Sequence, residues 1–148
     1  MKIVLATDGT KYGDAAAAMI ARFGLKEGDE VKVISVVDVA IPLAIDGYGG
    51  YLPDSTGLEK TASEQAEKVI EVTAAKVKGF FGNENVHILS EVLYGSPESR
   101  IVETAEDMGA DMIVLGSHGY KRWERLLLGS VSDSVVHHAH CSVLIVRS

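Results

Sequence analysis

Short unbroken apolar runs alternate along this chain with stretches in which apolar residues recur every three or four positions. Lys2 to Ala6, with Ile3-Val4-Leu5-Ala6 at its heart, reads as a strand covered on both faces. From Lys11 the pattern turns helical: Ala16, Met19, Ile20 and Phe23 share a face, and Gly24 supplies a stop. Val31 to Val37 is strand-like and rich in β-branched residues. Ala40 to Gly57 breaks the periodicity with Pro42, Gly47, Gly49, Gly50, Pro53 and Gly57. Leu58, Ala62, Ala66, Val69, Ile70 and Val77 then define a second helix, ended by Gly79 or Gly82. Val86 to Leu93 predicts a third strand. Ser96-Pro97-Glu98 combines an N-cap serine, a first-turn proline and an acid, a strong helix start. Ile101, Val102, Ala105 and Met108 give that helix its buried stripe, and Gly109 closes it. Met112 to Leu115 predicts strand four, Ser130 to Ala139 helix four, and Ser142 to Val146 strand five.

Strand and helix thus alternate from end to end, which specifies an α/β fold: a Rossmann-like, five-stranded parallel sheet with helices on both faces, joined by right-handed crossovers. The 148 residues are read as one domain, 1–148, without internal repeats. In open sheets of this kind ligands collect at the carboxyl ends of the strands, near the switch in strand order. Asp8, after strand one, and Gly116, after strand four, fall at that edge.

Composition narrows the partners. A net charge of −7 argues against a nucleic-acid backbone as the main ligand, though not against a small polyanion. Cys141 is the only cysteine, so the chain can form neither an internal disulfide nor a multi-cysteine metal site. No apolar run approaches the ~20 residues of a membrane helix, and no signal-peptide pattern opens the chain. A cytoplasmic protein with no membrane association is expected.

The run from Gly116 to Ser130, G-S-H-G-Y-K-R-W-E-R-L-L-L-G-S, carries the chemistry. A strand, a glycine-rich loop and a helix build an anion site from backbone amides and the positive end of a helix dipole. Glycine serves there because a Cβ would block phosphate approach. Ser130 also suits a helix N-cap, with Asp133 completing something like a capping box. Asp8 has two readings, a capping acid ahead of helix one or a ligand contact. His118 offers either a side chain to a phosphate or only its backbone amide. Lys121, Arg122 and Arg125 make the loop locally basic, and Trp123 with Leu126-Leu127-Leu128 is apolar enough to pack down or meet a second subunit. His137, His138 and His140 are too tightly spaced on a helix to share one ion readily, and a helix C-terminus favours histidine in any case. They are read as structural, and no metal ligands are assigned. Tyr48 and Tyr51, in the long glycine- and proline-rich segment, could lie over a bound base. The apolar strand Val143-Leu144-Ile145-Val146 would form a sheet edge, best satisfied by pairing with its copy in a homodimer.

The chain closely resembles the universal stress protein family over essentially its whole length. The likeness rests on Ala6-Thr7-Asp8-Gly9-Thr10, Ser35-Val36-Val37-Asp38, Gly95-Ser96-Pro97 and above all Gly116-x2-Gly119-x9-Gly129-Ser130, which is similar to the signature of the family's ATP-binding branch. The resemblance implies an adenine nucleotide alpha-hydrolase-like sheet of order 3-2-1-4-5. It also implies ATP or another adenine nucleotide as ligand, with Mg or Mn, and a homodimer acting in stress response or signalling. Position by position, it puts Gly116, Gly119, Gly129 and Ser130 around the phosphates, with Val131 and Ser132 adding helix-start amides or a hydroxyl. Thr7 and Asp8 would face base and ribose, Val36 would pack on the adenine, and Leu115 and His118 would line the remaining wall. Ala6, where several ATP-binding members carry proline, and Thr10, in place of a common serine, depart from the pattern.

No catalytic residues are assigned. The chain has no legible nucleophile–base pair and no Walker-type run, so any ATP hydrolysis should be slow. Two alternatives stand beside the binding module. One is a true ATPase or phosphotransferase using Asp8 or Asp38 to hold a metal, with His118 or Arg122 stabilising charge. The other is a nucleotide-independent dimeric scaffold.

Overall fold

A computed structural model describes residues 1–38, 55–82, 85–118 and 128–147. Its elements run β1 (Lys2–Ala6), α1 (Lys11–Ile20), β2 (Glu30–Val37), α2 (Ser55–Phe81), β3 (His87–Tyr94), α3 (Pro97–Met108), β4 (Met112–Gly116), α4 (Ser130–His138) and β5 (Ser142–Val146). The strands form one parallel sheet in the order β3-β2-β1-β4-β5, as the resemblance implied.

The unbroken apolar runs have the cause assigned to them. On one face Ile3, Leu5, Val31, Val33 and Val114 pack beneath Ala16, Ala17 and Ile20 of α1 and Ile70 and Val77 of α2. On the other, Val4, Ala6, Ile34, Leu93, Ile113 and Leu115 meet Ile101 and Ala105 of α3 and Val135 of α4. Alternate side chains of β1 therefore enter two separate cores, and Ile3, Val4 and Leu5 are all fully buried. Register holds the layers together: Ile3 lies between Val31 and Met112, and Ile113 lies beside Val143.

Several boundaries shift from the sequence expectation. Helix α1 ends at Ile20 with Ala21 as its cap, and Gly24, at φ 58°, turns the chain three residues later. Helix α2 starts at Ser55, so Gly57 lies inside it, and Gly82 rather than Gly79 takes the left-handed conformation after its end. Gly109 closes α3 at φ 60° as expected. Ser96 is the N-cap residue of α3, yet its hydroxyl makes no bond to the helix backbone. The Ser96 hydroxyl beside Glu98, and next the Glu98 backbone amide, hold that carboxyl below its usual range. Gly129, not Ser130, caps α4, which makes Ser130 the first helical residue.

Because β1 and β4 are neighbours, the chain leaves them toward opposite faces. Helix α1 packs with α2, and α4 packs with α3. A gap opens at the carboxyl edge where these connections part. Among the described residues no helix is long and apolar enough to cross a membrane.

Candidate functional site

The gap is a cleft of about 470 Å³, within the range typical of small-molecule sites. Ala6, Thr7 and Asp8 form its floor, Ile34, Val36 and Asp38 one side, and Pro97 and Ile101 the wall above. Leu115, Gly116, His118 and the Gly129–Ser132 segment close the other side. The structure thus brings together Thr7, Asp8, Val36, Leu115, Gly116, His118, Gly129, Ser130, Val131 and Ser132. Gly119, Lys121, Arg122, Trp123, Arg125, Leu126 and Leu127, with Tyr48 and Tyr51, lie outside the described residues; Leu128 is half-buried.

The β1 end is held by local bonds. The Thr7 amide donates to the Ile34 carbonyl at 2.9 Å, carrying the sheet ladder one residue past the strand. The Gly9 amide donates to Thr7 Oγ1 at 3.3 Å. Asp8 Oδ1 accepts from the Thr10 amide at 3.0 Å and the Thr10 hydroxyl at 2.7 Å. This turn ahead of α1 is one of the two roles expected of Asp8, and the residue lines the cleft as well.

Gly116 lines the cleft and also makes a contact that its sequence did not suggest. A Cβ there would sit 2.6 Å from Tyr12 Cβ and 2.7 Å from the Tyr12 carbonyl carbon. The missing side chain admits the first turn of α1 against the end of β4, which places Gly13 on the cleft wall. Gly13 is itself constrained, since a Cβ on it would lie 2.4 Å from Thr7 Oγ1. Two glycines therefore let α1 close onto both central strands.

The α4 end is built on Ser117, which is 1 % exposed. Its amide donates to the Val146 carbonyl at 2.9 Å, tying the end of β4 to the end of β5. Its own carbonyl accepts from the Gly129 amide at 2.9 Å and from Ser132 Oγ at 3.1 Å. Ser132 Oγ also donates to the Gly129 carbonyl at 3.0 Å. The Ser132 hydroxyl thus faces two carbonyls, and of the two contributions expected of Ser132, amide or hydroxyl, the amide is the one its side-chain bonding leaves to the cleft. The N-cap residue of α4 is a glycine, with no side chain to bond the first-turn amides. The first-turn amides of Ser130, Val131 and Ser132 lack partners within the helix and face its N-terminal, cleft-side end.

His118 Nδ1 lies 3.0 Å from Ser117 Oγ, and its ring centroid is 5.3 Å from that of Tyr12 at 45°. Lys11 Nζ stands 4.9 Å over the Tyr12 ring. His137, His138 and His140 have separate partners. Nδ1 of His137 and of His138 lies 2.8 and 2.7 Å from carbonyls one turn back, and His140 Nε2 lies 2.9 Å from Glu106 Oε1. Among the described residues no group of three or more His, Cys, Asp or Glu side chains is placed to hold a metal. Burial raises the Cys141 thiol above its ordinary value.

Sequence reading missed Ala6, Gly13, Ile34, Pro97 and Ile101 as cleft residues. A glycine at the third position of a predicted helix was the available signal for Gly13, because that residue type weakens a helix without a packing reason. Pro97 and Ile101 read only as a helix start and a core stripe. Their place at the cleft depends on where α3 packs.

A second, wider hollow of about 710 Å³ opens on the α1–α2 side and shares Asp8, Val36 and Asp38 with the first. The two carboxylates stand where the two hollows meet.

Comparison with known proteins agrees with this architecture. The model of the universal stress protein family matches residues 1–147. A universal stress protein of Methanocaldococcus jannaschii is 37 % identical over 146 residues, 99 % of this chain and 81 % of that protein. The solved structure of another protein of that organism, the universal stress protein MJ0577, is 25 % identical with a TM-score of 0.69, covering 99 % of this chain and 95 % of that one. An Arabidopsis thaliana family protein solved with AMP bound shares the fold at 14 % identity and a TM-score of 0.66, over 99 % and 91 % of the two chains. With a family model over residues 1–147 and a relative 37 % identical over 99 % of this chain, the chain belongs to the universal stress protein family.

Proposed function

We propose that the cleft binds an adenine nucleotide, with ATP as the fullest occupant, and that the chain works as a dimeric, nucleotide-dependent stress-response or signalling module. The observation that carries this reading is the meeting, in one cleft, of a glycine-capped helix start at Gly129–Ser132 and an apolar slot formed by Ile34, Val36, Pro97, Ile101 and Leu115. The amides suit phosphate oxygens, and the slot suits a flat base. Thr7 and Asp8 lie between them, where a ribose would offer hydroxyls. Family membership and the AMP-bound relative support the same ligand class.

Charge-assisted hydrogen bonds contribute ~1.5–3 kcal/mol each, and micromolar binding needs about 8 kcal/mol net. Three amides and a buried base reach that without a dominant residue. A divalent ion fits in a limited way. Asp8 and Asp38 supply hard oxygens at the rim, which suits Mg²⁺ or Mn²⁺ carried on the phosphates better than an all-protein cage. When bound, such an ion would neutralise phosphate charge. The residues of this chain would grip, orient and partly dehydrate the nucleotide. Gly119 is assigned to the phosphates on its sequence position, and hydrolysis is expected to be slow. We assign the dimer contact to the edge strand β5, whose outer edge pairs with no other strand of this sheet and whose Val143, Leu144 and Ile145 are half-buried.

Melting curves with ATP, ADP, AMP and GTP, with and without magnesium, test the reading. Free ATP at ~100 times its dissociation constant adds roughly 2.7 kcal/mol, a rise of about 5–10 °C for a chain this size. An unchanged melting temperature with every adenine nucleotide refutes it. Light scattering at micromolar concentration should give twice the single-chain mass, and a monomer would remove the dimer from the proposal.

A further inference from the structure

The geometry points to Ser132 as the positioning residue of the phosphate end: a clasp that fixes where α4 begins relative to the end of β4, and so aims the amides that would hold an anion. Its side chain is 2 % exposed, and its one hydroxyl proton spans the Ser117 and Gly129 carbonyls at 3.1 and 3.0 Å. These carbonyls lie on either side of residues 118–128. The hydroxyl therefore bridges the two stems of that connection across the base of the cleft, beside the Gly129 amide bond to Ser117 at 2.9 Å. The nearby glycine belongs to the same device. A Cβ on Gly129 would sit 3.3 Å from the Ser117 carbonyl oxygen and 3.5 Å from Ser132 Oγ, so a larger residue would crowd the bridge.

The role is separable from folding. Without the Ser132 hydroxyl, the Ser117 carbonyl keeps the Gly129 amide and the Gly129 carbonyl keeps the Asp133 amide at 2.9 Å. No buried acceptor is orphaned, so the usual large penalty for an unmet carbonyl does not arise. The change is in freedom: one two-centre bond, rather than a three-part bridge, holds the stem. Amides whose direction matters are loosened while the sheet stays intact.

The inference rests on the nucleotide reading of the cleft, and the experiment separates the two. Ser132→Ala and Ser132→Thr are compared with wild type by ATP–magnesium titration, melting temperature, and amide hydrogen exchange at Gly129 against the core amide of Val114. Expected for Ser132→Ala are an affinity about tenfold weaker, Gly129 exchange accelerated by a similar factor, Val114 exchange little changed, and a melting temperature within ~3 °C of wild type. Ser132→Thr, which keeps the hydroxyl, restores both affinity and Gly129 protection. Unchanged Gly129 exchange in Ser132→Ala overturns the clasp, as does an ATP affinity within twofold of wild type. Should wild type take no ATP, the nucleotide reading fails by itself, and the exchange at Gly129 still decides whether Ser132 holds the stem.

Discussion

Replacing Gly116 with alanine is the sharpest test of how the cleft is assembled. The added Cβ would stand 2.6 Å from Tyr12 Cβ, 2.7 Å from its carbonyl carbon and 2.8 Å from its carbonyl oxygen. Two of these atoms are backbone, so no rotamer change relieves the contact. Gly116 is not among the residues of positive φ, so the substitution brings steric cost without backbone strain. Restoring ordinary contact at 3.4 Å requires α1 to retreat by about 0.8 Å from a close-packed core, which costs about 1–3 kcal/mol. At roughly 2–4 °C per kcal/mol, the ligand-free protein should melt about 2–12 °C lower. Gly79→Ala is the control. Nothing lies within 4 Å of a Cβ there, the site is exposed inside α2, and alanine should stabilise by about 0.5–1 kcal/mol. Calorimetry of the two variants should thus give shifts of opposite sign. The same measurement separates two reasons for Gly116. If its bareness serves only phosphate approach, alanine weakens nucleotide binding and leaves the ligand-free melting point alone. That result, or a ligand-free shift under a degree, would refute the packing account.

Two further outcomes follow from the same geometry. Gly13→Ala puts a methyl 2.4 Å from Thr7 Oγ1 and should destabilise by about 1–3 kcal/mol; Thr7→Ala in the same chain should recover much of that loss, giving a coupling of at least ~0.5 kcal/mol in a double-mutant cycle. Ser96→Ala removes the hydroxyl that lowers the Glu98 carboxyl, which should then titrate closer to the ordinary value of 4.5. A lowered folded-state value stabilises above the unfolded one and loses that stabilisation as pH falls through the folded one. The variant should therefore be slightly less stable than wild type at neutral pH, with the difference closing under acid, and a carboxyl titration by NMR that leaves Glu98 unmoved would dismiss the contact.

Sequence and structure agree most closely where one local rule acts alone. Gly109 ends α3 because a left-handed residue is cheapest as glycine, and the run Ile3-Val4-Leu5 is apolar throughout because both faces of β1 are covered. They part where two segments compete for one role. Ser130 has the right chemistry for an N-cap, but the extended residue ahead of α4 is Gly129, whose amide bonds the Ser117 carbonyl, so Ser130 becomes the first helical residue. Ser96 sits at its expected N-cap position, yet its hydroxyl makes no cap bond to the helix backbone and instead lowers the Glu98 carboxyl.

The sequence by itself determined the parallel α/β sheet, the edge at which ligands collect, and most of the cleft's residues, since these follow from periodicity, glycine spacing and family likeness along a single chain. Only the tertiary structure decided why the residues are what they are. Gly116 and Gly13 are bare because a helix distant from β4 in sequence closes on the strand ends, and Ser132 turns its hydroxyl inward because two carbonyls converge on it. Contacts between segments far apart in sequence leave no period or motif in it, because the approach distance that selects each residue exists only after the chain has folded.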